Sequence, residues 1–93
     1  MTAMTKSNKK QRKVAFMYAD WCSGCERMKQ KFYDECRRVG IRFEVVDVEE
    51  PQGVEMSIKF GVRNVPTLIF FEGNREIGRA HGNESYLKIK DYV

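Results

Sequence analysis

Cys22 and Cys25 stand three positions apart in the run Trp21-Cys22-Ser23-Gly24-Cys25. Sulfur at that spacing suits one chemistry: on a single helical turn two thiols occupy adjacent corners, close enough to bond to each other and to part again. The apolar run Val14 to Ala19 ends just before the pair, and a helical pattern from Glu26 to Val39 begins just after it. The first sulfur is therefore placed at the top of a strand and on the opening turn of a helix. There, unpaired backbone N–H groups and the helix dipole favour thiolate over thiol. A Cys-x-x-Cys between a strand and a helix, in a chain with one further cysteine, reads as a redox pair. Cys22 is its nucleophile, and Cys25, one turn inward, is the thiol that resolves the mixed disulfide.

The remaining chemically able residues read as bystanders. Cys36 shares a helical face with Cys25 but lies about 16 Å further along the axis, beyond pairing distance. It also falls in the stripe Met28, Phe32, Cys36, Val39, which marks a core face. A zinc site would have two ligands in Cys22 and Cys25, and neither Cys36 nor His81 sits in a spacing that completes a tetrahedron, so no metal is expected. Asp20 reads as a surface charge that opposes thiolate formation at Cys22.

The elements that position the pair follow from periodicity. Val14-Ala15-Phe16-Met17-Tyr18 is continuously apolar and suits a strand buried on both faces. The helix after Cys25 is closed by Gly40, and Ile41 to Val48 is again strand-like. Two strands flanking a helix make a right-handed crossover and a parallel pair. Pro51 opens a short second helix with Val54, Ile58 and Phe60 as its apolar residues and Gly61 as its stop. Thr67 to Phe71 and Arg75 to Ala80 form a hairpin about Gly73-Asn74. Asn83 is expected to cap a last helix with Tyr86, Leu87, Ile89 and Tyr92 facing inward. The string β-α-β-α-β-β-α implies an α/β fold: a four-stranded mixed sheet with helices on both faces, three layers as α/β/α.

Charge and length bound the partners. The net charge of +4 resides at the N-terminus, where Lys6, Lys9, Lys10, Arg12 and Lys13 precede the fold without an acid among them. Residues 1–12 are expected to be a basic disordered tail and 13–93 one domain, close to neutral. The tail lacks the aromatic interleaving of a nucleic-acid site, so no nucleic-acid partner is expected. It also lacks the apolar stretch of a secretory signal, and the longest apolar runs fall far short of the ~20 residues of a membrane span. A reduced Cys-x-x-Cys of this kind points to the cytoplasm.

Strand, Trp-Cys-x-x-Cys, helix, strand, helix, then Val65-Pro66-Thr67 ahead of a hairpin together resemble the thioredoxin family, from about residue 13 to 93. Asp47, Phe60-Gly61-Val62 and Gly82 support the likeness. It implies a cis peptide before Pro66, an apolar shelf at Trp21, and a substrate strand laid along Val65, Pro66 and Gly82 beside Ser23 and Gly24. His81, just before Gly82, falls near that site and reads as structural or solvated. Three departures stand out. Nothing before Val14 matches the family's first strand and helix, leaving the strand at 41–48 as an edge. Ser23-Gly24 replaces the usual Gly-Pro. The family's buried aspartate and lysine correspond to Phe16 and Val45, so its proton relay has no counterpart here.

The resemblance implies a monomeric thiol–disulfide oxidoreductase that reduces protein disulfides, takes electrons from a thioredoxin-reductase-like donor, and needs no cofactor beyond its own Cys22–Cys25 disulfide. The alternatives are glutaredoxin-like or isomerase-like disulfide exchange, or a protein-binding module in which turnover is incidental. Asp20 and the segment Ala80-His81-Gly82-Asn83 speak against glutathione binding.

Overall fold

The computed structural model describes residues 11–93. The chain runs β1 (Arg12–Tyr18), α1 (Ser23–Val39), β2 (Arg42–Asp47), α2 (Pro51–Phe60), β3 (Thr67–Glu72), β4 (Arg75–His81) and a closing 3-10 helix (Ser85–Tyr92). The sheet order is β2-β1-β3-β4, with β1 parallel to β2 and antiparallel to β3, and β3 antiparallel to β4. The continuously apolar runs of β1 and β3 are thereby explained, because these two strands are central and covered on both faces. Of the expected disordered tail, all but Gln11 and Arg12 lies outside the described residues. Arg12 is the first residue of β1, where it donates to the Tyr92 carbonyl at 3.1 Å and pairs with Glu72 at 3.5 Å.

Alternation along β1 and β3 divides the core in two. Val14, Phe16, Leu68 and Phe70 face α1 and the 3-10 helix, packing with Met28, Phe32, Cys36 and Ile89. Ala15, Met17, Ile69 and Phe71 face α2, where Met56 and Phe60 cover them. The first layer is aromatic: Phe16 and Phe32 have ring centroids 4.9 Å apart, and Phe43 meets Phe32 edge-on at 5.6 Å. Helix α1 buries Met28, Phe32 and Cys36 of the expected stripe together with Cys25, while Val39 packs half-buried against the same cluster. It carries Glu26 in its first turn and Arg37 and Arg38 in its last, matching the dipole.

Two expectations are corrected. In α2, Val54 and Ile58 face solvent, Ile58 being 76% exposed, while Gly53, Met56 and Phe60 face the sheet. The orientation is set by Gly53, which lies so near the end of β2 that an added Cβ would strike the Asp47 carbonyl and come within 2.9 Å of the Val48 Cα. Only glycine permits that approach, and it turns the 53, 56, 60 stripe inward. The last element is a 3-10 helix rather than an α-helix, and its N-cap is Glu84, not Asn83. Tyr86, Ile89 and Tyr92 pack inward as expected, but Leu87 is exposed. Tyr92 stacks on Phe70 with centroids 3.9 Å apart and its ring lies over Gly78.

Candidate active site

Strand β1 ends at Tyr18, the chain turns with the Cys22 N–H donating to the Ala19 carbonyl at 3.1 Å, and α1 begins at Ser23. Cys22 is the N-cap of α1, in extended conformation, and its Sγ accepts the Cys25 N–H at 3.1 Å. An N-cap is ordinarily a serine, threonine or aspartate oxygen that satisfies an orphan N–H. Here a sulfur does that work, so negative charge on Cys22 meets a donor already aimed at it. The two Sγ atoms are bonded to one another, with Cα atoms 5.2 Å apart. Cys22 lies just beneath the protein surface, and Cys25 is buried behind it.

Two further segments converge on the pair. The Val65–Pro66 peptide is cis. An added Cβ at Gly24 would lie 3.6 Å from Pro66 Cδ and 3.5 Å from Asn83 Cβ, so the opening turn of α1, the proline loop and the turn after β4 meet at Gly24. Gly82, at φ 95°, donates its N–H to the Pro66 carbonyl at 3.0 Å. That left-handed backbone suits glycine alone among the residue types, which gives Gly82 a turn-forming role in addition to any contact with substrate. Ser23 and Trp21 are exposed, Trp21 by 68%. Together with Val48, Val62, Arg63, Asn64 and Val65, Trp21 lines a groove of about 270 Å³ beside the pair. The structure thus brings Trp21, Cys22, Gly24, Cys25, Val65, Pro66 and Gly82 to one end of the sheet.

Several site residues were not legible beforehand. The Trp21 indole N–H donates to the Glu49 carboxylate at 2.6 Å, fixing the ring from across the β2–α2 turn. Fully buried Thr67 donates its hydroxyl to the Asn64 carbonyl at 2.7 Å and meets His81 Nδ1 at 3.1 Å. With the hydroxyl proton directed to Asn64, a proton on His81 Nδ1 completes the second bond. His81 is thus a brace for the proline loop. A polar residue in an apolar strand, directly after a proline, was the signal available for Thr67; nothing nearby signalled Glu49. Cys36 is fully buried, and burial pushes its thiol from an ordinary 9.0 up to about 12, so it takes no part. Among the described residues no three His, Cys, Asp or Glu side chains converge as a metal site, and no helix is long and apolar enough to cross a membrane.

A bond made and broken between two cysteine sulfurs at the head of a helix is the working part of a thiol–disulfide oxidoreductase. The chain belongs to the thioredoxin family: the family model described as Thioredoxin matches residues 3–93. Thioredoxin-1 of Drosophila yakuba is 25% identical over 73 residues, covering 78% of this chain and 68% of that protein. Among solved structures, Fasciola hepatica thioredoxin superposes with a TM-score of 0.80 at 24% identity, covering 97% of this chain and 88% of its own. A mutant thioredoxin from Halobacterium salinarum gives 0.77 at 25%, with 98% and 80% covered.

Proposed function

We propose that the protein reduces disulfides in other proteins, through a cycle in which Cys22 attacks and Cys25 resolves. The observation that carries this is the Cys22 sulfur, held as a helix N-cap against the Cys25 N–H, with the neighbouring Trp21 and Val65 lining one groove. An extended substrate segment enters beside Trp21, pairs its backbone with Val65 and passes over Pro66 and Gly82, while Ser23 and Gly24 leave the approach to Cys22 open. Cys22 thiolate attacks one sulfur of the substrate disulfide, forming the mixed disulfide and releasing the other sulfur as thiolate. Cys25 then attacks Cys22, re-forming the Cys22–Cys25 bond and releasing the second substrate sulfur. A thioredoxin-reductase-like donor returns two electrons to the pair. A reducing compartment such as the cytoplasm keeps this direction favourable.

The test is the reduction potential of the Cys22–Cys25 pair, by equilibration against defined dithiol buffers, together with reduction of insulin disulfides coupled to NADPH and a thioredoxin reductase. A potential near about −270 mV, with coupled turnover, is expected of a reductant. A potential near about −180 mV, the isomerase range, with no coupled turnover, refutes the reducing direction.

A further inference from the structure

Cys25 has to lose a proton before it attacks, yet it is only 3% exposed. Its outward side is closed by Cys22 and, in the mixed disulfide, by the substrate. Phe16, fully apolar, packs in the same core cluster, so the strand beneath presents no base. On the remaining side, between α1 and the edge of the sheet, Cys25 lines a half-open cavity of about 100 Å³. Phe16 and Val45 form its apolar wall, and Tyr18, Asp20, Glu26, Lys29 and Tyr33 supply polar groups. A buried water needs about 10–15 Å³ of room and two or more polar partners, and the cavity meets both conditions.

We propose that this cavity is the proton exit of the resolving step: its water takes the Cys25 proton and delivers it to the carboxylates of Asp20 and Glu26. The charged and titratable groups around the path divide by role. Lys29 stands four residues after Cys25, on the same helical face, where its ammonium favours the thiolate that remains. Tyr18 on β1 is held protonated by burial and by Asp47 and Asp20, so it can donate to the water but not accept the proton. Tyr33 on α1 is a phenol, which leaves Asp20 and Glu26 as the carboxylates in the wall. Asp47, at the end of β2, stands beyond Tyr18 and is not in the wall. The step balances: the proton leaves Cys25 for the carboxylates, Cys25 thiolate forms a bond to Cys22 Sγ, and the substrate sulfur departs with the electron pair of the broken S–S bond.

Reaction of the reduced protein with dithiobis-nitrobenzoate reads the two steps separately. One thionitrobenzoate is released as Cys22 attacks and a second as Cys25 resolves, and both phases are followed by stopped flow across pH. The inference rests on Cys25 as the resolving thiol, and release of only one thionitrobenzoate per wild-type molecule refutes that role rather than the proton path. Given two phases, the Asp20→Asn/Glu26→Gln double variant is expected to slow the second by about tenfold or more, short of the roughly hundredfold or greater effect of a directly placed general base because the transfer runs through water. The first phase is expected to be as fast or faster, since Asp20 opposes the Cys22 thiolate. Val45→Trp, on an exposed edge strand, fills the cavity and is expected to slow the second phase alone. Purely electrostatic carboxylates have the opposite signature: their removal raises the thiolate fraction and quickens the second phase. An unchanged or faster second phase in the double variant overturns the proposal, whatever Val45→Trp does. Equal slowing of both phases overturns it as well.

Discussion

Gly53→Ala puts the placement of α2 to a quantitative test. Two effects of opposite sign meet at this residue. Alanine is the better helix former, by at most about 1 kcal/mol. Against that, the new Cβ would collide with the Asp47 carbonyl oxygen and stand 2.7 Å from its carbon and 2.9 Å from the Val48 Cα. All three atoms are backbone, so no side chain can rotate aside, and α2 has to move off the end of β2. Overpacking of that kind costs typically about 1–3 kcal/mol and occasionally more, and a purely backbone clash belongs at the upper end. The net expectation is a loss of about 2 kcal/mol. For a domain of this size that corresponds to a melting temperature lower by roughly 10 °C, at about 4–8 °C per kcal/mol. Urea unfolding of the oxidised protein, followed by circular dichroism, gives the same quantity through the midpoint at constant slope. Gly24→Ala is the control. Its Cβ meets only Asn83 and Pro66 side chains, at 3.5 and 3.6 Å, which is ordinary contact, and α1 gains a better helix former. It is expected to be neutral or stabilising by up to about 1 kcal/mol. Should Gly53→Ala match or exceed wild-type stability, helix propensity has prevailed and the close approach of α2 to β2 is refuted.

Three more outcomes are expected. Cys22→Ser abolishes reduction of a protein disulfide, whereas Cys25→Ser accumulates a covalent adduct with it, visible by mass spectrometry and released by dithiothreitol; an adduct in Cys22→Ser instead would reverse the two roles. The Cys36 thiol titrates near 9.0 when unfolded but near about 12 when folded, so the folded state binds the proton more tightly. Its contribution to stability is complete below pH 9 and is lost as pH rises from there toward 12. The wild type should therefore lose more urea resistance than Cys36→Ala between pH 8 and about 10.5, and parallel curves would show that Cys36 titrates freely. Arg79 bridges Glu76, at 2.6 and 2.8 Å, to the Phe60 carbonyl at the end of α2, at 2.7 Å. Arg79→Met should cost about 1–2 kcal/mol in thermal unfolding, with Arg79→Lys recovering less than half because a point charge cannot span both partners. Full recovery by lysine would refute the bridging role.

How much of this was legible in the sequence depended on whether the deciding contact was local. The redox pair, the α1 stripe and the doubly buried strands β1 and β3 are each encoded within a few residues, through spacing and continuous apolarity, and the structure holds all of them. The facing of α2 is different. Val54 and Ile58 are as apolar as Met56 and Phe60, so composition left the inward face open, and a backbone contact between Gly53 and Asp47 decided it. The closing 3-10 helix was legible in principle. Tyr86, Ile89 and Tyr92 are spaced by three, the repeat of a 3-10 helix, and Leu87 falls off that stripe. Taken as an α-helix, the segment counts Leu87 among its apolar contacts as well.

The same division runs through the site. Cys22, Cys25 and Pro66 carry their chemistry in residue type, and pattern alone could find them. Glu49 and Asp20 do not, since a carboxylate on a turn is ordinary until the fold sets something beside it. The fold gives Glu49 the Trp21 indole and places Asp20 on the wall of the cavity that Cys25 shares. From the sequence, Asp20 was a charge two residues from the nucleophile, and its one evident effect was to oppose the Cys22 thiolate. On the proposed path it is also the acceptor of the Cys25 proton, from the cavity whose wall both residues share. Opposing ionisation at the first sulfur and assisting it at the second are compatible, because the two sulfurs act in successive steps and only the second must shed its proton inside the protein.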